Sequence, residues 1–240
     1  MNSTAPKKST IQEIEAKFDQ MADRYTNIET GQDTALDSPL CMELISKAAQ
    51  LYSPHAKSIL DLGCGGGNYM VKLTTLLPDV NVTLVDLSNN MLKAASERVQ
   101  KIIKGEVKTI QGDYRNIDLG TNQFDIIIAT TTLHHLRLES EWEMLFSRVF
   151  NALKPGGSFW ISDIIVHEKP EINQFMLNGW FNWIEESHGS EKLNWVKEQY
   201  EKEDTPQTLN FQLSLMKKTG FNEIIVLHKH LCFAAFGAIK

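Results

Sequence analysis

The chain has 240 residues, 42% hydrophobic and 22% charged, a size and balance that fit one larger α/β domain with a substantial core. A formal net charge of −6 leaves no broad basic footprint, which argues against nucleic acid as a direct partner. There is no apolar run of about 18 residues, so no membrane span is expected, and the polar start Met1-Asn2-Ser3-Thr4-Ala5-Pro6-Lys7-Lys8 lacks the apolar stretch of a secretory signal. Residues 1–10 read as a disordered tail. Cys41, Cys64 and Cys232 are odd in number and widely spaced, without paired or metal-type spacing, so a reducing cytoplasm fits best.

Taken in chain order, Ile11, Ile14, Phe18 and Met21 recur at helical spacing, and Leu40, Leu44, Ala48 and Leu51 repeat the pattern. Strands and helices then alternate. Residues 58–62 form a short apolar run that stops at a glycine cluster, and 69–77 read as a helix. Residues 81–86 make a second strand, after which Ser88 is placed to cap a helix reaching about 103. A third strand covers 107–111. Residues 125–129 are continuously apolar after Asp125, as a central strand covered on both faces must be. A helix over 139–153 follows; the turn Lys154-Pro155-Gly156-Gly157 stops it, and 158–165 is the fifth strand. This rhythm predicts parallel strands joined by right-handed crossovers. Residues 167–205 interrupt it with an insertion rich in aromatics: Phe175, Trp180, Phe181, Trp183, Trp195 and Tyr200. A helix over 207–219, closed by Gly220, leads to strands 223–227 and 232–238, whose short connection makes them antiparallel. The expected fold is a mainly parallel, seven-stranded α/β sheet with a C-terminal antiparallel hairpin, helices on both faces and a helical lid insertion at 167–205, all in a single domain.

The segment Asp61-Leu62-Gly63-Cys64-Gly65-Gly66-Gly67 lies between a strand and a helix, where open α/β sheets bind ligands. A Walker-type phosphate loop needs a lysine before its serine or threonine, and this loop has none. A dinucleotide fingerprint needs a third glycine at position 68, which is Asn68. A carboxylate at Asp61 would repel a pyrophosphate. It would favour a ligand with an ammonium and a sulfonium and no phosphate, which describes S-adenosylmethionine. The alternative is a tight turn that holds no ligand. Two further acids weigh against that. Asp86 ends the second strand, where its oxygens can accept both ribose hydroxyls, and Asp113 ends the third, where it can meet the adenine amino group.

These motifs resemble the class I S-adenosylmethionine-dependent methyltransferases over about residues 15–164. Residues 59–67 look like that family's first motif, and Leu84-Val85-Asp86-Leu87-Ser88 with Met91 is similar to its acidic second. Residues 124–129, followed by Leu133-His134-His135-Leu136, resemble its fourth, and Leu153-Lys154-Pro155-Gly156-Gly157 the segment opening its fifth strand. Phe18-Asp19-x-x-Ala22-x-x-Tyr25 is similar to the N-terminal helix that closes over the cofactor in small-molecule members. The resemblance implies a Rossmann-like class I methyltransferase fold, with S-adenosylmethionine as cofactor and S-adenosylhomocysteine as product. It implies that Gly63, Cys64 and Gly65 lie along the methionine moiety, with Tyr25 and Thr130 near it. Asp86 and Leu87 would bracket the ribose beside Met91, and Asp113 and Tyr114 would meet the adenine. The C-terminal third, from Gln212-x-x-x-Met216 through Gly220-Phe221 to Phe233-x-x-Phe236-Gly237, looks like the carboxy-S-adenosylmethionine synthases, which remake the cofactor for tRNA wobble-uridine modification. That family holds the added carboxylate with an arginine from this region, and this chain has no arginine after Arg148.

His134 and His135 follow the fourth strand and should stand beside the cofactor methyl. Adjacent side chains diverge, so one of them is expected to face the pocket; His135 is favoured as proton acceptor, with helix capping or packing the alternative for either. The insertion is expected to be a lid with its own small core, and Trp180, Trp183 and Trp195 are candidates for an aromatic acceptor wall. His228 and His230 alternate along a strand and read as an exposed face, and Cys64 as a small packing residue. Seven scattered histidines show no metal-binding spacing, so no metal is expected. The function these features predict is methyl transfer to a small-molecule acceptor, by a monomer or a homodimer. The alternatives are a synthase that modifies the cofactor and a cofactor-binding module without transfer chemistry.

Overall fold

The computed structural model describes residues 8–27 and 30–240. Thr10 opens helix α1 (Ile11–Gln20) with a capping box: the Glu13 N–H donates to its hydroxyl at 3.3 Å, and the Glu13 carboxylate accepts the Thr10 N–H at 2.6 Å. A short α2 (Ala22–Thr26) follows, and Pro39 sits in the first turn of α3 (Ser38–Tyr52). The alternation then runs β1 (Ser58–Leu62), α4 (Asn68–Leu76), β2 (Asn81–Asp86), α5 (Asn89–Gln100), β3 (Val107–Gln111), β4 (Phe124–Thr130), α6 (Glu139–Ala152) and β5 (Leu153–Ile164). Ser88 caps α5 as expected, its hydroxyl accepting the Met91 N–H at 3.1 Å. The insertion is a helix pair, α7 (Pro170–His188) and α8 (Ser190–Glu203). After it come α9 (Leu209–Thr219), ended by Gly220 at φ 116°, then β6 (Glu223–His230) and β7 (Phe233–Ile239).

The seven strands form one sheet in the order β3-β2-β1-β4-β5-β7-β6. Strands β1 to β5 pair in parallel, and β7 is antiparallel to both its neighbours, β5 and β6. The hairpin therefore folds back on itself, with the last strand docked against β5 and β6 left at the edge. Side-chain alternation along the strands builds two cores. Ile126 and Ile128 face one side with Ile59 and Trp160, packed by Ile45, Leu73 and Val99 from α3, α4 and α5. Ile127 and Ala129 face the other side with Phe159 and Phe236, packed by Trp142, Phe146 and Met216 from α6 and α9. Burying each such large apolar side chain contributes about 1.5–3 kcal/mol.

Several boundaries differ from expectation. Residues 154–157 do not simply separate helix from strand; β5 begins at Leu153, and the segment bulges out between the Phe124–Leu153 and Ile126–Ser158 pairs. Strand β6 runs on to His230, because pairing with β7 resumes after a register shift between Val226 and His228. Of the expected disordered tail, residues 1–7 lie outside the described residues. Residues 8–10 are held in place: Lys8 Nζ donates to the Glu201 and Asp204 carbonyls, and the Ser9 N–H to Lys202. The insertion has its own apolar core, in which Leu177, Trp180, Ile184 and Val196 meet Leu36 and Phe233.

Candidate cofactor and acceptor site

The glycine segment crosses the carboxyl edge of the sheet between β1 and α4. Gly63 has φ 67°, and a Cβ there would lie 2.1 Å from Thr132 Oγ1, so only glycine lets the loop pass under the β4 end. Gly65 has φ 50° and nothing within 4 Å of its Cβ position; it faces open space. Its N–H donates to Asp86 Oδ2 at 2.8 Å, while Oδ1 accepts the Ser88 N–H at 2.9 Å. One buried carboxylate thus joins the first loop to the second. Desolvation raises Asp86 to about 6 despite these donors.

The cavity in front of this loop is lined by Gly63, Cys64, Gly65, Asp86, Leu87 and Met91 on one side. Asp113, Tyr114 and Thr130 continue the wall, and Tyr25, with Phe18, Ile11 and Ile14 of α1, covers it. Ten of the eleven residues expected to hold the cofactor are therefore brought together. The exception is Asp61. It is buried and does not line the cavity; Oδ1 has no partner, and burial, then the charge of Asp86, holds its carboxyl well above the usual range. Asp61 is the fourth residue of β1 and belongs to the strand rather than to the loop. Asp113 lines the cavity already engaged, bonding Arg115 at 2.7–2.9 Å. The Tyr114 hydroxyl donates to the Thr132 carbonyl. Burial pushes the Cys64 thiol up, consistent with a packing role.

A second cavity adjoins the first, and Phe18, Tyr25, Gly31, Gln32, Thr131 and His135 border both. Its walls are aromatic, from Trp180, Trp195, Tyr200 and Phe233; Asp163, Glu203 and Asp204 line it together with Lys17, His134 and His135, so both histidines face it rather than the one expected. Trp183 does not reach it and packs instead edge-on to His188. Lys17 crosses from α1 to bond Glu203 at 2.6 Å.

The histidine pair forms a 3-10 turn, Leu133–His135, and the two rings have opposite environments. His134 Nδ1 lies 2.5 Å from Asp163 Oδ1, and Asp163 also accepts the Leu133 and His134 N–H groups. Desolvation opposes the charged form, but Asp163 and Asp204 outweigh it and raise His134 to about 9. His135 is held far below its usual value by desolvation, then by His134 and Lys17. Its Nδ1 is buried without a hydrogen-bond partner. That nitrogen lies 4.0 Å from Asp204 Oδ1.

Residues 59–157 match a family model described as a methyltransferase domain. The chain is 26% identical to the carboxy-S-adenosyl-L-methionine synthase of Nautilia profundicola over 183 residues, 76% of each protein. It is 28% identical to the demethylmenaquinone methyltransferase of Leptospira interrogans over 173 residues, 71% of this chain and 64% of that one. These matches support a class I S-adenosylmethionine-dependent methyltransferase, with the family match lying over residues 59–157. Human N-acetylserotonin methyltransferase shares the fold, with a TM-score of 0.62 and 15% identity over 98% of this chain; the chain spans 63% of that structure's length.

The first cavity fits the family's cofactor on its own features. Gly65 leaves open space beside Asp86, and the lining arginines, Arg115 and Arg137, are committed to Asp113, Glu141 and the Ser9 carbonyl rather than free for a phosphate. Sequence reasoning missed these arginines, and Gly31 and Gln32, for which no motif gave a signal. It also missed Asp163, although an acid at the end of β5 repeats the strand-end pattern of Asp86. Asp204 and Glu203 carried no local signal at all. His228 and His230 do not form a simple exposed face, because both bond Asp37.

Proposed function

We propose that the protein transfers the methyl group of S-adenosylmethionine to an oxygen or nitrogen of a small molecule held in the second cavity, with His135 taking the acceptor's proton. The observation that carries this reading is the shared wall: His135 borders both cavities and presents a buried Nδ1 with no partner. S-adenosylmethionine, when bound, supplies a methyl carbon activated by its sulfonium. Asp86 would hold the ribose, with Leu87 and Met91 beside it. Asp113 and Tyr114 would flank the adenine, and Gly63, Cys64, Gly65, Tyr25 and Thr130 the methionine end. The chain must then align the acceptor, exclude water and receive a proton. The aromatic walls of the second cavity suit a planar or apolar acceptor. With the methyl donor bound, His135 Nδ1 would receive the proton that the acceptor gives up on methylation. Asp204 stands where it can stabilise the resulting imidazolium. His134, tied to Asp163, is a fixed positive group rather than a base.

Within a single domain, α1–α2 and α7–α8 would form a lid over both cavities, and the three buried thiols fit a reducing cytoplasm. Among the described residues no helix is long and apolar enough to cross a membrane. The charge around the second cavity favours methyl transfer over a cofactor-modifying reaction. An added carboxylate would meet Asp163, Glu203 and Asp204, whose cations Lys17 and His134 are already paired, and no arginine follows Arg148. Mass spectrometry of cofactor co-purified with the protein should find S-adenosylmethionine or S-adenosylhomocysteine; the carboxylated form as the main species would overturn the reading. With an acceptor found by screening a metabolite extract, His135→Ala should lower turnover by about 10²- to 10⁴-fold while S-adenosylhomocysteine affinity stays nearly constant. Normal turnover in that variant would leave alignment alone as the mechanism.

A further inference from the structure

Away from both cavities, one cluster joins side chains 191 and 193 positions apart. Asp37 precedes α3 with a left-handed backbone, φ 54°, and its carboxylate makes no capping bond to that helix. Instead Oδ2 lies 2.8 Å from His228 Nε2 and 2.8 Å from His230 Nδ1. The two histidines are two residues apart on β6, the edge strand, so their side chains share a sheet face. Their rings stand 6.4 Å apart at 77°, and one nitrogen from each converges on the same oxygen. All three donor atoms lie within 4.8 Å of one another, and none of the three residues lines either cavity.

Two imidazoles and a carboxylate are a donor set suited to zinc and neighbouring first-row ions. Such ions sit roughly 2.0–2.2 Å from nitrogen and oxygen ligands, so the trio would need to open only slightly to admit one. His230 is half exposed, which leaves a further coordination position to water. We propose that Asp37, His228 and His230 bind a first-row divalent transition-metal ion of the zinc class, which clamps the segment before α3 to the sheet edge. That segment matters to the active region. It carries Gly31, Gln32, Thr34 and Ala35 into the second cavity's wall, and it is tied to the insertion through Trp180 Nε1 to the Thr34 carbonyl and Lys192 to Asp33. An ion on Asp37 would hold this wall from its far end.

Calorimetric titration of chelator-treated protein with ZnCl2 tests the site. Wild type should bind one equivalent in the micromolar range or tighter, and its thermal midpoint should rise with zinc. The variants Asp37→Asn and His228→Ala/His230→Ala should bind at least tenfold more weakly and show no zinc-dependent rise, while S-adenosylhomocysteine binding reports that the fold is intact. His230→Ala alone, at a half-exposed side chain, gives the same reading if the double variant does not fold. Undiminished zinc binding in folded variants would place the ion elsewhere, with His134, His135 and Asp204 the other candidate trio. That result overturns the proposal, as does a folded wild-type protein that binds no zinc and uses the three side chains only as a hydrogen-bonded strut.

Discussion

Asp86 carries two duties on one carboxylate, since it ties Gly65 to Ser88 and also lines the first cavity. Hydrogen bonds to a charged group are worth about 1.5–3 kcal/mol each. Asp86→Ala should therefore weaken S-adenosylhomocysteine binding at least tenfold by calorimetry, with the far-UV circular dichroism unchanged. Full affinity in a folded variant would confine Asp86 to loop support. The histidine pair makes a second prediction at this scale, in stability against pH. His134 rises from 6.5 to about 9 on folding, so its stabilisation is complete below about pH 6.5 and is lost as pH climbs through 9. His135 is depressed and acts in the opposite sense, contributing above 6.5 and costing stability as pH falls. The thermal midpoint of wild type should exceed that of His134→Asn near neutral pH, and the gap should close toward about pH 10. A gap independent of pH would mean that His134 is not charged in the fold.

At the scale of elements, the cover over the site is built from two distant pieces. Helix α1 supplies Ile11, Ile14 and Phe18 to the first cavity, and α8 supplies Trp195, Gln199 and Glu203 to the second. Lys17 bonds Gln199 and Glu203 across 182 and 186 positions of sequence, so the two pieces are coupled. Lids of this kind gate access and exclude water once the site is filled. Hydrogen exchange should slow in residues 11–27 when S-adenosylhomocysteine binds, and slow in 170–200 through the Lys17 link. Lys17→Ala should preserve the first effect and reduce the second. Equal exchange with and without ligand in both segments would show a rigid cover.

For the molecule as a whole, the returning strand β7 closes the structure. It lies between β5 and β6, and its Phe236 is fully buried against the α6–α9 side of the sheet. Removing such an aromatic leaves a cavity and costs about 3–5 kcal/mol. In a chain of this length each kcal/mol moves the midpoint by about 2–4 °C, so Phe236→Ala should melt roughly 6–20 °C lower in calorimetry. A shift of a degree or less would show that the hairpin contributes little to the cooperative unit.

Much of this organisation was legible in the amino-acid order, because it rests on local spacing. Apolar runs such as 125–129, the glycine segment after β1, Ser88 before α5 and Asp86 at a strand end each define an element or its edge within a few residues. The alternation of these elements then dictates a parallel sheet and places the glycine loop at its carboxyl end. What the tertiary structure alone decided depends on partners far apart in sequence. Asp61 was expected at the cofactor and is buried in β1, outside the cavity lining. His134 and His135 are chemically identical neighbours. One is held charged by Asp163, 29 residues away, and the other is kept neutral by burial and by the charge of His134 beside it. Asp37 meets His228 and His230 only when α3 packs beside the edge strand. Spacing along the chain determines which face a side chain takes. Its protonation state and its partner are determined by the desolvation and charge that other elements bring to it.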